Sequence, residues 1–257
     1  MCHEDTLTGQ PTSGISTEDL RVTTTDGDMP CRRYSVAGLE GPPVLVVSDM
    51  FGPGRFYQEV SRRLAAAGFT AYLPDYFFRL PELSEMSPEA GFARRKLLDE
   101  NRALLDLDRA VEAAGRHHAV AVGTMGFCMG GTQVLDLAVQ RDGLITVCFY
   151  GFPVAAPSAT PLTAPSPIES VGRMSGPILG YWGDQDSAVG LGNVETFIET
   201  AHSVGVDLEA HVLPGLGHGF MSMLFAPDLA GRPQAEQAWQ RSVGFLRTHL
   251  GAQHVDG

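Results

Sequence analysis

The sequence predicts an α/β fold in which helices cover both faces of a mostly parallel central sheet, with an antiparallel hairpin near the amino terminus. Short apolar runs rich in β-branched residues alternate with longer stretches of helical spacing, which is typical of parallel sheets. Runs such as Val44–Val47 are apolar at successive positions, as expected of strands buried on both faces. The first two runs flank Asp26-Gly27-Asp28, and Asp-Gly is a strong hairpin signal.

The alternation predicts eight strands and five helical stretches. The strands are expected at about 20–25, 31–36, 43–48, 69–73, 118–123, 144–150, 177–182 and 207–213. The helical stretches are expected at about 54–67, 88–114, 130–141, 190–204 and 234–250.

Two segments depart from this alternation. Residues 1–18 are polar and rich in Thr, Ser, Gly and Pro, and they are predicted to form a flexible arm. Residues 153–174 are expected to form a long surface loop near the functional site, and whether this loop acts as a lid is left open. Because the alternation resumes after it and motif residues lie on both sides, a single domain is expected over residues 19–252.

Composition and charge exclude several classes of protein. The chain has 257 residues, of which 44% are hydrophobic and 19% charged, as in globular proteins with a substantial core. A net charge of −12 makes nucleic acid and anionic membranes poor partners. The first thirty residues contain no apolar signal segment, and four cysteines without paired spacing are expected to be free thiols, so a cytoplasmic location is expected. The four are Cys2, Cys31, Cys128 and Cys148.

The strongest functional signal is GFCMGG at residues 126–131. It has the G-x-S-x-G spacing of a nucleophile elbow, with Cys128 in the serine place. Such a nucleophile lies on a tight strand-to-helix turn, and glycines two residues to either side avoid a collision. The helix dipole and the free backbone N–H groups at this turn lower the pKa of a thiol and stabilise an oxyanion. The alternative is a glycine-rich turn with an incidental cysteine.

An acid and a histidine follow in the order that an elbow requires. The strand predicted at 177–182 is followed by Asp184 and Asp186, and the strand at 207–213 is followed by His218 between two glycines. This order of nucleophile, acid and histidine is typical of α/β-hydrolases. Chemistry alone does not separate the two aspartates. The alternative for His218 is a solvated loop histidine, whereas His202 and His211 are assigned structural roles.

Together these segments resemble the dienelactone hydrolase family, the carboxymethylenebutenolidases and their relatives. The resemblance covers about residues 20–250 and includes SDMFG at 48–52, LPDY at 73–76, Tyr150-Gly151, the elbow and the loops that carry the acid and the histidine. It implies the α/β-hydrolase fold and Asp186 as the catalytic acid. It also implies an oxyanion hole formed by the backbone N–H groups of Met50 and Met129.

Two departures from the family bear on the substrate. Members that cleave dienelactone carry a glutamate in the place of Asp49, where its carboxylate contacts the thiol and helps to activate it; aspartate is one methylene shorter. Those members also clamp a substrate carboxylate with two arginines. Arg94 or Arg95 would supply the first, but residues 220–222, FMS, occupy the second place. We therefore expect a larger or more apolar substrate. The pocket candidates are Phe51, Tyr150, Phe152, Trp182, Phe220 and Met221, and the alternative for each is a place in the hydrophobic core.

The predicted activity is hydrolysis of an ester, enol lactone or thioester of a small molecule through a Cys-His-Asp triad and an acyl-enzyme. No cofactor and no metal are expected, because Cys2-His3, His117-His118 and His211 lack the spacing of a metal motif and no nucleotide-binding glycine loop is present. His117 and His118 are expected at the turn into the strand that begins near residue 118. The chain is expected to be a monomer or a homodimer.

Three alternatives remain open at this point. A biosynthetic relative would use the same pocket for cyclisation, rearrangement or acyl transfer. A non-catalytic member of the fold would only bind a ligand. A thiol redox sensor would need a resolving cysteine near Cys128, for which Cys148 is the candidate.

Overall fold

One eight-stranded sheet organises the chain. The structure, a computed structural model, describes residues 12–118, 121–154, 165–226 and 229–251. The strands lie in the order β1-β2-β4-β3-β5-β6-β7-β8, in which β1–β2 and β2–β4 are antiparallel and all other neighbours are parallel. Their bounds are β1 Ile15–Thr24, β2 Gly27–Val36, β3 Pro43–Val47, β4 Thr70–Pro74, β5 Gly123–Phe127, β6 Ile145–Phe149, β7 Ile178–Gly183 and β8 Leu208–Leu213.

Helices cover both faces of this sheet. They are α1 Arg55–Ala66, α2 Pro88–Arg95, α3 Glu100–His118, α4 Met129–Gln140, α5 Pro167–Ser170, α6 Leu191–Ser203 and α7 Arg232–Leu250. Two short 3₁₀ segments lie at Val171–Arg173 and Phe220–Phe225. Every residue of β3, β4, β5, β6 and β7 is buried. Because successive strand residues point to opposite faces, both faces must be covered, which confirms the predicted fold class.

The amino-terminal hairpin forms as predicted but starts earlier. Strand β1 begins at Ile15, so the last residues of the predicted arm belong to the sheet, while residues 1–11 lie outside the described residues. Within the described part of the chain this strand pairs only with β2, and most of its residues are exposed. The polar composition that suggested an arm therefore suits an edge strand.

The prediction for residues 88–123 needs two corrections. The single helical stretch at 88–114 is two helices, and the Ser87 side chain caps the first by accepting from Ala90 N at 3.2 Å. Helix α3 continues to His118, so the strand predicted at 118–123 is wrong in position and the strand lies at Gly123–Phe127. Strand β5 contains a threonine and two glycines, so it lacks the apolar run by which the other buried strands are predicted. Its position is fixed by pairing with β3, Leu45 opposite Thr124, and by the elbow that follows.

The predicted loop at 153–174 is helical at its end. Residues 155–164 lie outside the described residues. Beyond them, α5 begins with Pro167 after a capping box, in which the Glu169 carboxylate accepts from the Ser166 backbone N–H at 2.9 Å. A Ser followed three residues later by a Glu is a known start signal for a helix, and the surrounding Pro and Ala residues obscure this signal in the sequence.

The sheet brings the carboxyl ends of its central strands to one edge. Phe127, Phe149 and Tyr181 lie opposite one another on β5, β6 and β7, and their rings stack with centroids 4.9 and 5.3 Å apart. This buried row fixes the three strand ends against one another. The chain segments that carry the candidate site leave the sheet from these ends. Among the described residues, none of the helices has both the length and the apolarity needed to span a membrane.

Candidate active site

Cys128 lies on the sharp turn between β5 and α4. Its backbone has φ 56° and ψ −120°, a region that residues with a side chain rarely adopt, and strain of this kind concentrates at functional sites. The turn is held by the Cys128 N–H, which donates to Phe149 O at 3.0 Å. A Cβ on Gly126 would come within 2.1 Å of Gly130 O, and one on Gly130 within 2.3 Å of Val47 O. The crowding expected around an elbow is therefore present.

The backbone at the helix start is suited to bind a negative oxygen. Met129 is the first residue of α4, so its N–H has no partner within the helix and points along the positive end of the helix dipole. Gly130 packs directly on the Val47 and Ser48 carbonyls at the end of β3. The loop that carries Met50 thus begins beside the elbow, as an oxyanion hole of two backbone donors requires.

Asp186 and His218 form a buried carboxylate–imidazole hydrogen bond. His218 Nδ1 lies 2.7 Å from Asp186 Oδ2, and their side chains are 9% and 1% exposed. The second carboxylate oxygen of Asp186 accepts from the N–H groups of Ala188 at 3.0 Å and Val189 at 3.1 Å. Burial tends to raise the pKa of Asp186, but the His218 hydrogen bond and the two backbone donors hold that pKa below its ordinary value. Asp184 instead accepts from the Gly215 N–H at 2.7 Å.

The environment of Asp186 makes stability depend on pH. The pKa of Asp186 is lower in the folded chain than its unfolded value of about 4, so the ionised carboxylate stabilises the fold above that pH and the contribution is lost as pH falls through the folded pKa. We expect native protein to be more stable than Asp186→Asn at neutral pH, with the difference in the free energy of unfolding shrinking below about pH 4. Urea denaturation across this range measures both. A difference that stays constant down to about pH 3 would contradict this assignment.

An aromatic segment after β6 packs on the imidazole. The Tyr150 ring meets the His218 ring edge to face at 5.0 Å, and the Phe152 ring lies at 5.6 Å. Tyr150 has φ 42° and its N–H donates to Tyr181 O at 2.7 Å, while the Phe152 N–H donates to Thr132 Oγ1 at 2.9 Å. The segment is therefore fixed to both the sheet and α4, and its two rings restrict how the histidine can turn.

The loop after β3 is held by a buried tyrosine. Tyr76 donates its hydroxyl to Ser48 O at 2.6 Å, and Asp49 accepts from the Phe51 N–H at 2.9 Å. Both Tyr76 and Asp49 are almost completely buried. Burial, followed by the proximity of Asp49 and Cys128, holds the pKa of Tyr76 well above its ordinary value, so the phenol stays a hydrogen-bond donor.

Comparison with known proteins identifies the family. The model of the Dienelactone hydrolase family matches residues 33–250. The chain belongs to the dienelactone hydrolase family. It is 29% identical over 254 residues to a carboxymethylenebutenolidase of Rhodococcus opacus, and this alignment covers 97% of the present chain and 98% of the relative. A probable 2-oxo-3-(5-oxofuran-2-ylidene)propanoate lactonase of a Bradyrhizobium species is 32% identical, over 81% of this chain and 84% of the relative.

A solved structure supports the same assignment. The putative dienelactone hydrolase from Klebsiella pneumoniae subsp. pneumoniae superposes with a TM-score of 0.77 at 25% identity, covering 90% of this chain and 98% of its own. The chain therefore has the α/β-hydrolase fold and is a hydrolase of the dienelactone hydrolase family, as the sequence predicted.

The two arginine candidates differ in their surroundings. Arg94 Nη1 lies 3.5 Å from Phe51 O, and the guanidinium lies over the Phe77 ring at 4.5 Å. Burial lowers the pKa of Arg94, while the nearby Asp75 carboxylate opposes this effect. Arg95 instead pairs with Glu100 at 3.1 Å. Of the two arginines, Arg94 is the one beside the loop after β3, which carries Met50, the candidate oxyanion-hole residue of this dienelactone hydrolase family member.

The aromatic candidates fall into two groups. Phe152 is only half-buried and its ring lies against that of His218. Phe220 and Trp182 are completely buried, and the Trp182 indole N–H donates to Gly151 O at 2.8 Å. Trp182 therefore supports the Tyr150–Phe152 segment from behind as a core residue, which is the alternative that the sequence left open for the aromatic candidates. Phe51 is also buried, next to Arg94.

Sequence reasoning assigned no role to two residues that hold the site together. Tyr76 lies within the quoted LPDY segment, and Thr132 lies one turn beyond the elbow. Both act on backbone atoms, Ser48 O and Phe152 N. Their positions just after a strand end and inside the elbow helix were the signals available, but side-chain contacts with a distant backbone leave no motif.

Cys31 and Cys148 are buried, and their thiols are unreactive at neutral pH. Cys148 contacts Gly131 O at 3.5 Å, and burial raises the pKa of its thiol to about 12, as it does for Cys31. A buried thiol that stays protonated at neutral pH is a poor resolving group, which disfavours the redox-sensor alternative. Cys2 lies outside the described residues.

Proposed function

We propose that the chain hydrolyses an uncharged enol lactone, thioester or activated ester, with Cys128 as nucleophile, His218 as proton acceptor and Asp186 as the orienting acid. The observation that carries this proposal is the contact between His218 Nδ1 and Asp186 Oδ2 at 2.7 Å. It occurs in a chain that has a cysteine, Cys128, at the strained position of the elbow. Because Asp186 takes the Nδ1–H, the Nε2 lone pair is left to accept the thiol proton.

The reaction then proceeds in two halves. The Cys128 proton passes to His218 Nε2, and the sulfur bonds to the carbonyl carbon while the carbonyl oxygen becomes an oxyanion. The Met50 and Met129 N–H groups are the proposed donors to it, each worth about 3 kcal/mol of barrier. Collapse expels the enolate, thiolate or alkoxide, which takes the proton from His218. Water, deprotonated by His218, attacks the thioester, and the Cys128 sulfur leaves and is reprotonated.

The choice of a cysteine favours activated substrates. When the tetrahedral adduct collapses, the better leaving group departs, and a thiolate leaves more readily than an amide nitrogen. An enolate or a second thiolate competes successfully with the Cys128 sulfur. Hydrolysis of lactones, thioesters and activated esters is therefore favoured over hydrolysis of peptides.

The surroundings of the site favour an uncharged substrate. Phe220 and Met221, where a second arginine would be needed to clamp a carboxylate, are 1% and 0% exposed and add no charge. Arg94 is already engaged with Phe51 O and the Phe77 ring. One engaged cation in an acidic protein is a weak receptor for an anion. The Phe152 ring beside His218 offers an apolar contact instead.

A matched substrate pair tests this substrate class. Two enol lactones that differ only in a free carboxylate or its methyl ester are compared by kcat/KM. We expect the uncharged member to be preferred by roughly tenfold or more, because the carboxylate would be desolvated without a free partner. The preference should persist at high ionic strength, since screening removes the effect of net charge but not that of the pocket. A preference for the free carboxylate would overturn the assigned class.

Cellular location and assembly remain predictions. Among the described residues, Cys31, Cys128 and Cys148 form no disulfide, as the predicted cytoplasmic location leads one to expect. The predicted monomer or homodimer can be distinguished by light scattering.

A further inference from the structure

Three side chains with metal-ligating atoms converge far from the candidate active site. Glu40 lies in the connection between β2 and β3, and His117 and His118 end α3. One ligand atom from each of the three lies within 4.8 Å of the others. This cluster precedes the amino ends of β3 and β5, whereas Cys128 follows the carboxyl end of β5. It therefore lies at the opposite end of the sheet from the reaction proposed above.

We propose that Glu40, His117 and His118 form a binding site for one Zn²⁺ ion. Two imidazoles and a carboxylate are a ligand set that zinc uses in proteins, with water as the fourth ligand. Bonds of about 2.0 Å in a tetrahedral site separate ligand atoms by roughly 3.3 Å. His117 Nε2 and Glu40 Oε2 are already 3.3 Å apart. Both side chains are about half exposed, so a small rotation completes the approach to His118.

A tyrosine orients the second histidine. The Tyr72 hydroxyl lies 2.9 Å from His118 Nε2, and the two rings meet edge to face at 5.9 Å. Metal-ligating histidines commonly engage their other ring nitrogen in such an outer hydrogen bond, which fixes the ring and its tautomer. In the proposed site, the ring nitrogen that Tyr72 does not use is the ligand.

A positive group already lies against two of the ligands. Arg33 Nη1 is 3.0 Å from His117 Nε2 and 3.0 Å from Glu40 Oε1. The other end of the same guanidinium contacts Glu18 at 2.5 Å. The cluster is therefore arranged around a cation, and Arg33 can keep Glu18 while zinc displaces Nη1. Arg33 competes with the metal and limits its affinity.

Isothermal titration of Zn²⁺ into the full-length chain, stripped of metal with a chelator, tests the site. We expect a binding event that weakens at least about tenfold in Glu40→Gln and in His117→Gln, since each loses one ligand. Arg33→Gln should bind roughly tenfold more tightly, because a competing positive charge at contact distance is gone. His211→Gln is the matched control, because His211 contacts Glu209 at 2.6 Å in a histidine–glutamate pair outside the cluster. The affinity of this variant for Zn²⁺ should equal that of the native chain.

Co²⁺ distinguishes this site from the catalytic thiol. The proposed nitrogen and oxygen ligands give only weak visible bands, whereas a thiolate ligand adds an intense sulfur-to-metal charge-transfer band. We expect the native chain with Co²⁺ to show visible bands without a charge-transfer band, and we expect these bands to disappear in Glu40→Gln. The proposal is overturned if no zinc binds, if Glu40→Gln and His117→Gln bind as the native chain does, or if the only bound Co²⁺ shows thiolate ligation.

Discussion

Cys128→Ala is expected to abolish turnover of every lactone, thioester and ester that the native chain hydrolyses. Without the sulfur, no covalent intermediate forms, and only the oxyanion donors and substrate binding remain. Removing a nucleophile that acts as a unit with its histidine lowers kcat by about 10³-fold or more. Steady-state rates under saturating substrate measure the loss. Thermal unfolding shows whether the variant is folded, because the residue is buried in the turn.

Cys128→Ser separates nucleophile chemistry from packing. Serine fits the same turn but has a far less acidic group, so it depends entirely on His218 for activation. We expect activity between those of the native chain and Cys128→Ala, with the greatest loss on thioesters and enol lactones. Native rates in Cys128→Ala would assign the reaction to another residue. Native rates in Cys128→Ser would show that the thiol has no special role.

Asp186→Asn is expected to lower kcat by about 10³- to 10⁴-fold while leaving the loop intact. The asparagine oxygen can still accept from the Ala188 and Val189 N–H groups, as the native Oδ1 does. Its amide nitrogen, however, would donate to His218 Nδ1, which places the imidazole proton on Nε2. That nitrogen can then no longer accept the thiol proton.

Asp184→Asn provides the matched control for this prediction. Asp184 lies two residues away and accepts from Gly215 N at 2.7 Å, a contact that an asparagine oxygen preserves. We expect kcat within about twofold of the native value, since the residue does not contact His218. Equal losses in the two variants would mean that the loop, rather than the carboxylate at Asp186, carries the effect. His218→Ala should lower kcat at least as much as Asp186→Asn does.

The sequence predicted the architecture well. Strand–helix alternation follows from local hydrophobic periodicity, so the parallel sheet and its hairpin were predictable. The elbow at 126–131 was predictable because the turn between Gly126 and Gly130 admits no side chain at either position. The loop histidine, His218, was identifiable for a similar reason, since its flanking glycines set it apart from packed histidines.

What the sequence did not predict depends on contacts between distant segments. Trp182 was a pocket candidate because an aromatic side chain near the end of a strand suits either the pocket or the core, and only its contact with Gly151 O shows that it supports the chain from behind. Tyr76 was given no role because its partner, Ser48 O, is 28 residues away. The cluster of Glu40, His117 and His118 was not predictable, because 77 residues separate Glu40 from His117.

The most direct test of the central claim is to trap the acyl-enzyme. The native chain is mixed with a thioester or enol lactone, quenched in acid within the first turnovers and digested, and the peptide that contains Cys128 is weighed by mass spectrometry. We predict an added acyl group on Cys128 that decays as product appears, and no such adduct on Cys31 or Cys148. An adduct that persists without hydrolysis would favour the acyl-transfer alternative. Turnover with no adduct on Cys128 at any quench time, together with full activity of Cys128→Ala, would contradict the account.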